Sequence, residues 1–320
     1  MVLAGPNGCG KTTVLEAALL ALGEEQLIVR DEPTSEREDH WRTKVPEGAT
    51  IEVEASIDGH GPLRWRRTSA GFDGIGEELS RLGLFRAVYP GAHGGGMLGP
   101  AGTPRFERTE TRLAVEYFSS WRSPILVGHL HPLGQGNRPR DTEANRLYRL
   151  KQYILDEMAR GSFRPQLPLR IEGWLGRLNS AWAQLHGEDG SRLDPQLVDP
   201  RSPGSLADLY ILEPDGTRRC SVDQASSGEI ELLSFAGWIV LNDFSAGLLV
   251  IDEPELHLHS QWQAAILPAL RRLAPQVQLL VATHADAPWD QVMSFERKLL
   301  VGKNDPRHGS DGEQAEIQER

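Results

Sequence analysis

Cysteine is scarce. The 320 residues hold two, Cys9 and Cys220, too far apart in sequence to suggest a disulfide framework or a metal knuckle. Long apolar runs are absent too: no stretch could cross a bilayer and no signal peptide is recognisable. The expectation is a cytoplasmic protein without a membrane partner. Basic charge is also short, with 34 Lys and Arg against 45 Asp and Glu and a net charge of −11. That excludes a generally basic, nucleic-acid-coating protein, although a local basic groove stays open. No internal repeat is visible. A composition of 39% hydrophobic and 25% charged residues excludes wholesale disorder, and the length suits one large or two modest domains.

What the sequence has stands almost at its start. Gly5-Pro6-Asn7-Gly8-Cys9-Gly10-Lys11-Thr12 fills every position of the phosphate-loop pattern G-x-x-x-x-G-K-[ST]. The glycines let the backbone turn its N–H groups inward, an anion nest at the start of a helix. Lys11 can reach the β- and γ-phosphates, and the Thr12 hydroxyl can ligate Mg²⁺; Thr13 belongs to the same cradle. The context fits: Val2-Leu3-Ala4 reads as a strand end, and Leu15, Ala18, Leu19 and Leu22 fall at helical spacing before a Gly23 stop. A buried parallel strand usually needs about five residues, more than precede Gly5, so either an earlier start or a preceding segment is expected. The chain is expected to bind a nucleoside triphosphate with Mg²⁺.

Downstream, Gln26–Arg30 reads as a short strand and 31–47 as a charged surface loop. Thr50–Ile57 and Pro62–Thr68 alternate apolar and polar residues around Asp58-Gly59, a hairpin signal. Gly91–Gly102 is a glycine-rich loop, and Arg112–Phe118 a strand running into Ser119-Ser120-Trp121-Arg122. Glu143–Arg160 and Gly173–His186 read as two helices, Asp189–Pro203 as a loop, and Ala207–Glu213 as a strand. Trp121, Trp174, Trp182, Trp238, Trp262 and Trp289 are read as packing residues.

A second constellation closes the chain. Gly247–Asp252 is a continuous apolar strand, as a parallel sheet covered on both faces requires, ending in Asp252-Glu253-Pro254. Acids there project into the crevice where open α/β sheets bind ligands. Asp252 is placed to hold the Mg²⁺ shell with Thr12, and Glu253 to polarise an attacking water. A helix over Ser260–Leu273 has the length of a parallel crossover to the strand Val277–Ala282. That brings His284 to the edge holding Glu253, where it could sense the γ-phosphate. Before the acids, Ala225-Ser226-Ser227-Gly228-Glu229 introduces an amphipathic helix over Ile230–Asn242. Ser226 and Glu229 fit a capping box. Gly228 is costly in a first turn and gains a use if a phosphate approaches the backbone there.

In this order, these motifs resemble the ATP-binding-cassette (ABC) ATPases. The run Asp252-Glu253-Pro254-Glu255-Leu256-His257-Leu258-His259 is most similar to the soluble branch that includes RecF, the chromosome-maintenance ATPases and the overcoming-lysogenization-defect ATPases. The resemblance covers roughly the first 22 residues and those from Cys220 onward. It implies an α/β phosphate-loop NTPase of ABC type, with a mostly parallel core sheet, an antiparallel β insertion and a short helical lobe. Within one domain over 1–320, the core falls at 1–30 and 205–302, the insertion at 48–118, the lobe at 140–190 and a polar tail at 303–320. The resemblance also implies a head-to-tail homodimer with ATP sandwiched between one subunit's phosphate loop and the signature Ser226, Ser227, Gly228 and Glu229 of the other. Glu253 would be the general base, His284 the switch histidine and Glu255–His259 the D-loop. The signature lacks the Gln that often follows Glu229, and Ser119–Arg122 is the nearest counterpart of the Gln loop.

The implied function is ATP hydrolysis near DNA, in repair or anti-phage defence. A lobe of 44 residues would be about 65 Å long at most, too short for a long coiled coil. No nuclease is expected behind the core, so an effector would be a separate chain. Two alternatives stand: the energy-supplying subunit of a transporter, which the sequence after Glu253 disfavours, and a non-hydrolysing nucleotide switch. The pairs His257/His259 and His129/His131 have a spacing that could ligate zinc only with further ligands.

Overall fold

The computed structural model describes residues 1–24, 27–28, 48–57, 60–68, 71–73, 85–88, 105–108, 115–120, 122, 146–163, 170–186, 189–199, 201, 207–241 and 246–301. In chain order, β1 (Val2–Ala4) leads into α1 (Lys11–Leu22). Short antiparallel strands follow: β2 (Thr50–Ile57), β3 (His60–Thr68), β4 (Gly71–Asp73), β5 (Phe85–Val88) and β6 (Arg105–Arg108). After β7 (Val115–Phe118) come α2 (Arg146–Phe163), α3 (Arg170–His186), β8 (Arg192–Leu197), β9 (Ala207–Leu212) and β10 (Arg218–Ser221). The last third holds α4 (Ser227–Leu241), β11 (Ala246–Asp252), α5 (Ser260–Leu273), β12 (Gln276–Thr283), α6 (Asp286–Asp290) and β13 (Arg297–Leu299).

The core sheet has the order β13-β1-β12-β11-β7, and every pairing in it is parallel. Alternate residues feed opposite faces. Leu249 and Ile251 of β11 and Val281 of β12 pack with Leu232, Phe235 and Ile239 of α4 and with Ile266, Leu267 and Leu270 of α5. Val250, Leu280 and Ala282 pack on the other face with Leu15, Leu19 and Leu20 of α1. Helices thus cover both faces, which is what an apolar run such as Leu248–Ile251 requires.

A second core forms where α2 and α3 meet the antiparallel sheet β10-β9-β8 and the far side of α4. Ile230, Leu233, Ala236 and Val240 face this lobe while Leu232, Phe235 and Ile239 face the core sheet. The helix read as amphipathic therefore carries apolar residues on two opposite faces, because it is buried between two cores. Each large side chain so buried contributes about 1.5–3 kcal/mol. The lobe also encloses Lys151, fully buried, whose ammonium bonds Asp208 at 2.7 Å and also Asp223.

Three expectations are corrected. β7, assigned to the 48–118 insertion, is a core strand parallel to β11. The stretch 189–203 is not all loop: β8 runs through Pro195, which an edge strand tolerates because no ladder N–H is needed there. Leu27 and Ile28 are helical rather than extended. The hairpin forms, with Val53 opposite Trp65, and it docks on α1 through a 2.8 Å bond from Trp65 Nε1 to the Ala21 carbonyl. Trp182 and Trp238 are buried, and Trp262 and Trp289 pack against the core. The glycine-rich loop 91–102, the turn 58–59, Trp121, His129, His131 and the tail 303–320 lie outside the described residues, as does the Trp174 side chain.

Candidate nucleotide site

Four sheet-edge segments converge at the C-terminal ends of β1, β7, β11 and β12. The loop after β1 turns through Gly5, Gly8 and Gly10 at φ 154°, 77° and 97°. A side chain at Gly5 would meet the Leu300 carbonyl at 2.3 Å, so glycine is required there by the neighbouring main chain; Gly8 and Gly10 open onto free space. Pro6, Asn7 and Cys9 complete the loop, closed by a 3.3 Å bond from the Cys9 N–H to the Pro6 carbonyl. Lys11 is buried and its ammonium donates to the Gly5 and Pro6 carbonyls at 2.8 and 3.2 Å. Thr13 lies in the first turn of α1, beside Thr12.

The two distant pieces of sequence meet here. Thr12 Oγ1 donates to Asp252 Oδ2 at 2.7 Å, across 240 residues. Burial pushes the Asp252 carboxyl above its ordinary range, against the lowering effect of the Thr12 and Ser120 hydroxyls and of Arg122 and Lys11. Next to it, Glu253 adopts φ 53°, rare for a side-chain-bearing residue. Its N–H bonds the Ala282 carbonyl of β12 at 2.8 Å, and its side chain is partly exposed.

His284 stands one strand over, half-exposed, with Nδ1 at 3.5 Å from Glu253 and 3.4 Å from Glu255. Glu255 is buried. Its Oε1 accepts from the Thr283 hydroxyl (2.8 Å) and the His284 N–H (3.0 Å), while Oε2 lacks a hydrogen-bond partner among the described residues.

The capping box forms: the Ser226 N–H donates to Glu229 Oε2 at 2.8 Å and the Glu229 N–H to Ser226 Oγ at 3.3 Å. Glu229 also takes bonds from Arg219 and from His186 Nε2, the latter at 2.7 Å. Burial would raise its carboxyl, but His186, both donors of Ser226 and the Arg219 charge outweigh this and lower it to about 2. Ser227 is exposed at the start of α4. Gly228 has a reason the sequence did not reveal: a Cβ there would lie 2.8 Å from Trp262 and 2.9 Å from the His257 carbonyl.

Sequence reasoning passed over Arg122, reached only as part of the 119–122 segment. It is buried and donates to the carbonyls of Ser119 (2.7 Å), Asp252 (2.5 Å) and Glu253 (2.5 Å) and to the Glu231 carboxylate. A lone arginine after a strand carries no periodic or motif signal, so composition could not find it. No group of three or more His, Cys, Asp or Glu side chains fit to hold a metal exists among the described residues. No described helix is long and apolar enough to cross a membrane.

Over residues 101–287, more than half of the chain, the sequence matches the family described as "AAA domain, putative AbiEii toxin, Type IV TA system". The chain belongs to this AAA family. The matched span takes in Arg122, the 226–229 turn, both acids and His284, and begins after the Gly5–Thr12 loop. Among curated proteins, this AAA domain is similar to the Septu protein PtuA of Bacillus thuringiensis, 41% identical over 49 residues (15% of this chain, 12% of PtuA). It is also similar to the Retron Vc95 probable ATPase of Vibrio cholerae serotype O1 biovar El Tor, 35% over 54 residues (17% and 10%). The Retron Ec83 probable ATPase of Escherichia coli is 37% identical over 76 residues (20% and 14%). The chain thus matches no more than 14% of the length of these relatives. Among solved structures it is similar to an Smc head bound to the C-winged helix domain of ScpA, at 15% identity and a TM-score of 0.45, over 91% of this chain and 83% of that one.

Proposed function

We propose that this AAA domain binds ATP with Mg²⁺ and hydrolyses it in a head-to-tail homodimer, acting near DNA in anti-phage defence or repair and gating a separate effector. The observation that carries the hydrolytic part is the 2.7 Å bond between Thr12 and Asp252. It joins a phosphate cradle and a strand-end acid pair into one pocket. The defence part is supported by the Septu and retron names of the relatives and by the toxin wording of the family description.

The residues present fit the metal. Thr12 Oγ1 and Asp252 Oδ2 already face each other, and a hydroxyl with a carboxylate is the oxygen donor set a hard cation takes. Mg²⁺ bound there would neutralise charge on the transferring phosphoryl group. The Lys11 ammonium, now held by its own loop, exchanges the Gly5 and Pro6 carbonyls for phosphate oxygens. Glu253, adjacent to the metal acid and partly open to solvent, orients and deprotonates the attacking water. His284 lies beside it and donates towards the γ-phosphate. The Ser227 hydroxyl and the N-terminus of α4 meet the γ-phosphate held by the partner molecule, where a positive helix end favours an anion.

Steady-state turnover together with binding of a fluorescent ATP analogue tests this. Glu253→Gln should keep nucleotide affinity, lower kcat by about 10²-fold or more and accumulate an ATP-dependent dimer by light scattering. Lys11→Ala should weaken nucleotide binding. Unchanged turnover in Glu253→Gln removes Glu253 as the base. Tight ATP binding without any wild-type turnover favours the non-hydrolysing switch.

A further inference from the structure

We infer that Arg122 is a positioning residue that, through Glu231, ties the placement of α4 to the conformation of Glu253; the inference rests on the hydrolytic reading above. The argument starts from where the guanidinium points. Its donors reach three segments at once: Ser119 O at the end of β7, Asp252 O and Glu253 O at the end of β11, and the Glu231 carboxylate of α4. The guanidinium also lies 5.3 Å from the ring of Phe235, one turn further along α4. Both side chains of the Arg122–Glu231 pair are almost wholly buried. A planar fork can address several acceptors at fixed angles, whereas a lysine ammonium offers its three donors from one point.

The carbonyls matter because of what they belong to. Glu253 sits at φ 53°, and such a conformation persists only where its surroundings over-determine it. The sheet holds one side, through the bond from the Glu253 N–H to Ala282 O; the Arg122 fork holds the other, at Glu253 O. Releasing the second grip lets the peptide leave the left-handed region and swings the carboxylate off its line. The other end of the connection lies in the first turns of α4. Glu231 follows Ser227 and Gly228 by about one turn, and Gly228 is itself packed on His257 O and Trp262, just past the acids. A shift of α4 driven by contact of its first turn with nucleotide on a second copy therefore reaches the base through two rigid contacts. A buried ion pair is by itself weak evidence of a stabilising role. The aim of this one, at the two peptides that flank Glu253, is what gives it a part in turnover.

The test uses the full chain with Glu231→Gln and Arg122→Lys. Both keep side-chain volume, and the second keeps a cation opposite Glu231. Steady-state ATPase kinetics, affinity for a fluorescent ATP analogue and a thermal melt are read together. The expected result is a kcat lowered about 10- to 100-fold, the range of a small misplacement of a reacting group, with KM and analogue affinity unchanged. Wild-type kcat in Glu231→Gln overturns the inference, as do KM and affinity that worsen in step with kcat. If Glu231→Gln fails to fold, Arg122→Lys decides by the same split. Failure of both to fold makes the pair structural and overturns it as well. A wild-type chain without turnover overturns the hydrolytic reading and this inference together, whereas wild-type turnover with an unaffected Glu231→Gln overturns this inference alone.

Discussion

Gly228→Ala separates two accounts of the same glycine. If glycine is there only to let a phosphate approach, alanine should help the nucleotide-free chain, because alanine favours a helix over glycine by up to about 1 kcal/mol. The packing gives the opposite sign. The added methyl would sit 2.8 Å from Trp262 Cζ3, 3.1 Å from its Cε3 and 2.9 Å from the His257 carbonyl. The carbonyl belongs to a residue at φ 65°, and Trp262 is partly buried against the core, so neither neighbour yields freely. Overpacking of this kind costs about 1–3 kcal/mol. Set against the helix gain, the net expectation is a destabilisation of about 1–2 kcal/mol, or a few degrees in Tm for a chain of this size. Urea and thermal unfolding of the nucleotide-free protein read it directly. Trp262→Ala introduced alongside should shrink the difference between Gly and Ala, since the two positions touch. A Gly228→Ala protein as stable as wild type, or more so, refutes the packing account and leaves the phosphate account standing.

Two further outcomes follow from the charged groups. The Glu229 carboxyl is held at about 2 in the folded chain, below its ordinary value of 4.5. Its contribution is therefore present above pH 4.5 and lost as pH falls through 2. Glu229→Gln should cost roughly 1–2 kcal/mol at pH 7 after solvent screening, and the gap to wild type should close as the pH is lowered from 5 to 2; a gap independent of pH contradicts the assignment. Asp252 has the reverse sign, since burial raises its carboxyl. Its contribution is full below the unfolded value and lost as pH rises through the folded one, so its carboxylate is a cost at neutral pH. Asp252→Asn should stabilise the nucleotide-free chain by about 1 kcal/mol at pH 7, less so at pH 4, while removing ATP turnover; a thermal melt showing a less stable Asn variant at pH 7 argues against it.

Where local chemistry dictates structure, the sequence was readable. The Gly5–Thr12 pattern needs positive-φ turns that only glycine takes easily, and the fold uses them as expected. The apolar run before Asp252 reads as a strand buried on both faces, and the Ser260–Leu273 crossover fixes β12 beside β11 in parallel. Those two facts alone bring His284 to Glu253. What was not readable depends on partners remote in the chain. β8 reads as loop because its proline and polar residues suit a strand only at a sheet edge. α4 looked amphipathic because the second core that covers its other face is built from α2, α3 and the β8–β10 sheet, none of which the helix itself encodes. Arg122 carries the least local signal of all. Its meaning lies in four acceptors spread over residues 119 to 253, and nothing in its neighbours along the chain announces them. The motifs mark the candidate nucleotide site, and the buried polar contacts of Arg122 join its acids to remote segments of the chain. The variants most informative about mechanism are therefore at Arg122 and Glu231, outside any motif.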